Sequence, residues 1–103
     1  MCGIYGITEK NPQIIKKIIS KCSYRGPNGS GIYSSEQVTL GHNLLSITSQ
    51  PDKGKQPWKS INENVLVYNG EIFNYNELLV RFRDKFYPKS TCDTELLSWL
   101  LDQ

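Results

Sequence analysis

The sequence predicts an α+β domain, a mixed and largely antiparallel sheet covered by helices on at least one face. Three observations carry that expectation. Short apolar runs of strand length recur as far as Tyr68, helical stripes of Ile and Leu occupy 14–22 and 78–101, and clusters of Gly, Pro and Asn separate them. With 103 residues and 38% apolar content the chain suffices for one small domain and is too short for two.

Each element has its own signal. Cys2-Gly-Ile-Tyr-Gly-Ile-Thr8 alternates Ile4 with glycine and aromatic residues and reads as a buried strand starting almost at the N-terminus. Asn11 and Pro12 form a helix cap and first-turn pair. Ile14, Ile15, Ile18, Ile19 and Cys22 then share one helical face, with Lys16, Lys17 and Lys21 elsewhere, so a short packed amphipathic helix follows. Arg25-Gly-Pro-Asn-Gly-Ser-Gly31 holds three glycines and a proline, a loop composition suited to positive φ or to close backbone approach. Two short strands are expected, at about Ile32 to Ser34 and Val38 to His42, joined by Ser35, Glu36 and Gln37. A polar stretch from Thr48 to Asn64 precedes a strand over Val65 to Tyr68 and a turn at Asn69-Gly70. A helix begins near Asn74, with Glu77 at capping-box spacing and Leu78, Leu79 and Phe82 as its stripe. The last helix starts near Asp93 and carries Leu96, Leu97, Leu100 and Leu101. It reaches Gln103 with no stop signal, so the sequence is expected to end within a domain.

Composition excludes several classes of function. Twelve basic and ten acidic residues leave a charge of +2, far from the dense basic stripe that neutralises phosphates, so nucleic acid is not expected as a partner. No apolar run approaches the roughly 20 residues that span a bilayer, and the N-terminus lacks the features of a secretory signal. No membrane partner and a cytoplasmic location follow as expectations. Cys2, Cys22 and Cys92 are odd in number and form no CxxC pair, which supports neither a disulfide framework nor a zinc site, and no metal is expected. Cys22 and Cys92 are expected to be buried as small apolar residues. His42, Trp58 and Trp99 are read as packing or loop-positioning residues.

Cys2 has a chemical reading of its own. A small side chain after the initiator makes Met1 easy for an aminopeptidase to remove, leaving a free α-amino group beside the thiol. That amine has an ordinary pKa of about 7.7 to 8.0, so near pH 7 a useful fraction is neutral and can take the thiol proton. One residue then supplies nucleophile and base.

Several blocks stand with Cys2-Gly-Ile-Tyr-Gly in one order: Tyr24-Arg-Gly-Pro-Asn-Gly-Ser-Gly31, Leu40-Gly-His-Asn-Leu-Leu-Ser-Ile47, Gln56-Pro57, Tyr68-Asn-Gly-Glu-Ile-Phe-Asn-Tyr75 and Asp93-Thr-Glu95. Together, and over essentially the whole chain, they resemble the N-terminal glutaminase domain of the class II glutamine amidotransferases, in particular asparagine synthetases of the glutamine-hydrolysing type. The resemblance implies an N-terminal nucleophile hydrolase-like αββα sandwich of which residues 1–103 are only the N-terminal part, with a synthetase domain absent from this chain. It implies that Cys2 attacks the side-chain amide of glutamine, that a thioester forms, and that ammonia passes through a channel to the synthetase domain or subunit. ATP and Mg are expected only in that domain, and no cofactor is expected for the glutaminase step.

The same resemblance assigns roles. Asn69 and Gly70 look like the oxyanion-hole pair, an amide side chain and a backbone N–H aimed at developing charge, where one donor is typically worth about 3 to 4 kcal/mol. The turn reading of Asn69-Gly70 remains alongside it. Glu71 and Asp93 resemble the acidic contacts to the α-ammonium of glutamine, with a solvated acid and a helix N-cap as their plainer readings. Ile47 and Thr48 fall where the family offers main-chain contacts to substrate.

Two departures weigh against an ordinary site. The family usually reads Gly-His-x-Arg-Leu-Ser-Ile, its arginine gripping the α-carboxylate of glutamine, whereas Leu44 stands at that place here. Asn28 replaces the aspartate of the Arg-Gly-Pro-Asp loop. A second reading therefore stands beside the enzyme: a catalytically impaired glutaminase-like module with an interaction or regulatory role. An amino-acid sensor without turnover ranks third.

Overall fold

A computed structural model describes residues 2–45 and 54–103. Its first sheet has three antiparallel strands, β1 (Gly3–Ile7), β2 (Gly29–Ser34) and β3 (Thr39–Leu44), in the order β1-β3-β2. β3 is central, and Thr39, Gly41, His42, Asn43 and Leu44 within it are all buried. Ile4 pairs with His42 on one side and Gly31 pairs with it on the other, so cross-strand neighbours share each face.

The expected hairpin between β2 and β3 is present. The Ser35 N–H donates to the Val38 carbonyl at 2.8 Å, and Ser35 Oγ accepts from the N–H groups of Gln37 and Val38. β2 starts at Gly29, inside the segment expected as loop, because the ladder runs on through the Gly29–Leu44 pair and the Asn28 N–H bond to the Leu44 carbonyl at 2.9 Å. Among the described residues no glycine has a positive φ, so close approach is what that glycine-rich segment uses. A single 3-10 turn, Ser23–Arg25, leads into it.

Helix α1 (Pro12–Lys21) packs on one face of this sheet. Asn11 caps it as expected, its side chain accepting from the Ile14 N–H at 3.2 Å. Ile15 is fully buried, and a methyl group at Gly41 would collide with Ile15 and crowd Ile19, so only glycine lets helix and central strand meet this closely. Polar ties fix the approach: Thr39 Oγ1 accepts from the Asn11 N–H at 2.9 Å and donates to the Glu9 carbonyl at 2.8 Å.

A second, two-stranded antiparallel sheet joins β4 (Trp58–Lys59) to β5 (Val65–Leu66). β4 lies within the stretch that looked merely polar. β5 stops two residues short of the expected Tyr68 because the Tyr68 N–H is taken by the Gln56 side chain instead of a strand partner. Asp102 holds the turn between β4 and β5, accepting from Ser60 Oγ at 2.8 Å and Asn64 Nδ2 at 2.7 Å.

Helices α2 (Tyr75–Arg81) and α3 (Asp93–Asp102) complete the described fold. Asn74 precedes α2, yet the expected capping box does not form. A turn from Ile72 to Tyr75 holds Asn74 at φ −98 and ψ 33, away from the extended geometry that would let its side chain reach back to the first turn. Trp99 of α3 packs on Phe82 and Phe86, with ring centroids 5.3 and 5.2 Å away, the packing role expected for it. Leu96 is fully buried. The observed α+β order matches the expected class, and no helix among the described residues is long and apolar enough to cross a membrane.

Candidate functional site

Cys2 lies one residue ahead of β1, half-buried, at the end of the sheet where β3 runs out. Antiparallel pairing of β1 with β3 brings Leu45 beside it. Cys2 Sγ accepts from the Leu45 N–H at 3.4 Å and points its own hydrogen at the Leu45 carbonyl, 3.8 Å away. Arg25 Nη2, from the 3-10 turn, donates to the Cys2 carbonyl at 3.4 Å. The start of the chain is thus held from two directions, a tie to Arg25 that the sequence left unassigned.

Asn69, Gly70 and Glu71 form an exposed segment between β5 and α2. Asp93 reaches this segment from the head of α3: its Oδ2 accepts from the Ile72 N–H at 3.0 Å. Asp93 is therefore not a helix cap. That position belongs to Cys92, which makes no side-chain cap, while Asp93 and Glu95 put negative charge in the first turn, where the helix dipole favours it. The Tyr68 ring lies against Gly70, and burial, then the charges of Asp93 and Glu71, raise its hydroxyl above the ordinary 10.0.

Leu44 is buried at 7% exposure, and a methyl group at Gly54 would touch both Leu44 Cδ1 at 3.8 Å and Cys92 Sγ at 4.0 Å. Cys22 and Cys92 are half-buried, less enclosed than expected: Cys22 closes the end of α1 and Cys92 precedes the first turn of α3, so neither sits inside an element. Ile47 and Thr48 lie outside the described residues.

His42 is fully buried, and neither ring nitrogen has a hydrogen-bond partner among the described residues. Burial pushes its imidazole below the ordinary 6.5, offset in part by the approaching Tyr68 backbone. Gln56, singled out in the sequence without a role, is also buried: its Oε1 accepts from the Tyr68 N–H at 2.5 Å and its Nε2 donates to Thr94 Oγ1 at 3.3 Å. No spacing rule exposes this link, because it joins three segments far apart in sequence. An open depression lined by Gly6, Ile7, Thr8, Glu9 and Val38 sits at the other end of β1 from Cys2 and contains none of these residues.

Among the described residues Cys2 is bonded to Leu45 and Arg25, and Asp93 to the segment that carries Asn69 and Gly70. The chain belongs to the glutamine amidotransferase domain family, whose model matches residues 1–103. It is 35% identical to asparagine synthetase [glutamine-hydrolyzing] 1 of Bacillus subtilis (strain 168), over 94% of this chain and 17% of that protein. It is 32% identical to the putative asparagine synthetase [glutamine-hydrolyzing] 2 of Methanocaldococcus jannaschii, over 94% of this chain and 23% of that protein. With asparagine synthetase B [glutamine-hydrolyzing] of Escherichia coli (strain K12) it shares 30% identity over 94% of this chain and 19% of that protein. The chain therefore spans about a fifth of the length of these curated relatives.

Proposed function

We propose that this chain is the front part of a glutaminase domain with an N-terminal nucleophile hydrolase-like fold, in which Cys2, freed of Met1, hydrolyses the side-chain amide of glutamine. The α-amino group takes the thiol proton as sulfur attacks the amide carbon. Asn69 and Gly70 donate to the resulting oxyanion, and the proton passes to the leaving nitrogen, which departs as ammonia. Water then attacks the thioester, glutamate leaves and the thiol is restored. Glu71 and Asp93 pair with the substrate ammonium, Ile47 and Thr48 supply main-chain contacts, and Leu44 lines the carboxylate side. Ammonia goes to an ATP- and Mg-dependent synthetase domain or subunit in the cytoplasm; the relatives' names, which join glutamine hydrolysis to a synthetase, support the pairing of the two activities.

The observation that carries this reading is the Ile72–Asp93 hydrogen bond, which ties the acid to the Asn69–Gly70–Glu71 segment although it lies 21 residues further along the chain. A bland turn and a bland helix cap would not need each other. The test is the intact mass of the protein before and after exposure to a diazo-ketone analogue of glutamine. The expected result is a chain lacking Met1 that gains one analogue unit, with no gain in Cys2→Ala. A chain that keeps Met1, or an adduct that persists in Cys2→Ala, would overturn the mechanism.

The second reading, an impaired module that binds a synthetase without turnover, draws on the buried apolar Leu44. It is favoured if Met1 is removed and no adduct forms.

A further inference from the structure

We infer that Gln56 is a positioning residue: its carboxamide sets the place of the Asn69–Gly70–Glu71 segment against the head of α3. Gln56 is 7% exposed, and Thr94, to which it donates, is 2% exposed. Its backbone is seated on the first sheet, since a methyl group at Gly31 would collide with the Gln56 carbonyl oxygen. From that seat the side chain accepts from the Tyr68 N–H and donates to Thr94 Oγ1. The next residue back in α3, Asp93, accepts from the Ile72 N–H.

The segment is therefore pinned at both ends. Tyr68, before Asn69, hangs from Gln56; Ile72, after Glu71, hangs from Asp93; and Gln56 is itself tied to the residue after Asp93. A carboxamide joins an N–H to a hydroxyl without bringing a charge into a buried place. A leucine of similar size would fill the same space and leave the Tyr68 N–H unpaired, so filling space does not account for a buried amide here.

The catalytic consequence rests on the glutaminase reading. Oxyanion donors act only when placed within a fraction of an ångström, and a misplacement of about 1 Å can cost on the order of a hundredfold in rate. Gln56 touches no reacting atom; it acts through the backbone it holds.

The experiment compares Gln56→Leu, Thr94→Val and Thr94→Ser in the intact protein by amide hydrogen exchange and by glutamine hydrolysis. In Gln56→Leu, exchange at Ile72, whose N–H bonds to Asp93 and not to Gln56, is expected to rise about tenfold while the amides of β1 and β3 keep their protection. The kcat is expected to fall about tenfold or more with KM within about twofold, because Asp93, in the first turn of α3, does not depend on Gln56 for its place. Thr94→Val should move both readouts in the same direction, and Thr94→Ser should recover them. Exchange at Ile72 that does not change, or that rises equally across β1 and β3, overturns the inference, as does an unchanged kcat in an active enzyme. A native protein that hydrolyses no glutamine overturns the glutaminase reading instead, and exchange alone then decides the role of Gln56.

Discussion

Leu44, expected from the resemblance to stand where an arginine would grip the carboxylate of glutamine, is buried in this chain. Its side chain lies beside Gly54 and offers no charge to a carboxylate. Leu44→Arg is expected to lower the KM for glutamine by about tenfold or more, because a guanidinium can pair with a carboxylate in a bidentate way. Without ligand the same substitution should lower the melting temperature, since it buries an unpaired cation. Melting curves with and without glutamine, together with KM, check both halves. A variant with unchanged KM would show that the carboxylate does not bind on this side. Cys2 and Asp93 could be singled out from residue type and motif, whereas the partners that hold them, Leu45 and Ile72, could not. Those partners are backbone groups, and backbone groups carry no signature of residue type.

Among the elements, α1 was the most legible, because cap, proline and isoleucine stripe agree with one another and the helix satisfies all three locally. Asn11→Ala removes the acceptor of the Ile14 N–H and is expected to cost about 1 kcal/mol, read as a lowered urea midpoint with unchanged slope. A midpoint that stays put would mean that water or the neighbouring Thr39 replaces the cap. β4 was illegible for the opposite reason. Two residues cannot display an alternating pattern, and Trp58 and Lys59 form a strand only because Leu66 and Val65 arrive opposite them. α2 shows a signal overruled: Asn74 and Glu77 have the right spacing, but the turn from Ile72 fixes the backbone of Asn74 first.

Across the whole molecule, burial of the single histidine links stability to pH. His42 titrates near 6.5 when unfolded and below that when folded, so the unfolded state binds more protons in the interval between the two values. Its contribution is complete above the unfolded value and is lost as pH falls through the folded one. The urea midpoint should therefore decline as pH falls below about 7, and His42→Leu should flatten that decline. An equal slope in both proteins would mean that another group governs it. Asp102, drawn below 3.8 mainly by its bond from Asn64, acts in a separate and more acidic window.

The sequence by itself determined the α+β class, the capped first helix, the hairpin of β2 and β3, and the motifs that mark Cys2, Asn69, Gly70, Glu71 and Asp93. These follow from periodicity, turn chemistry and residue type, which are local properties. Tertiary structure decided that the Asp93 carboxylate accepts from the Ile72 N–H and does not cap its own helix, and that the Tyr68 N–H turns to Gln56 and not to a strand partner. Each of these is a choice between partners for a group that must be satisfied once buried, and the winner is whichever partner the packing of distant elements brings within hydrogen-bond reach.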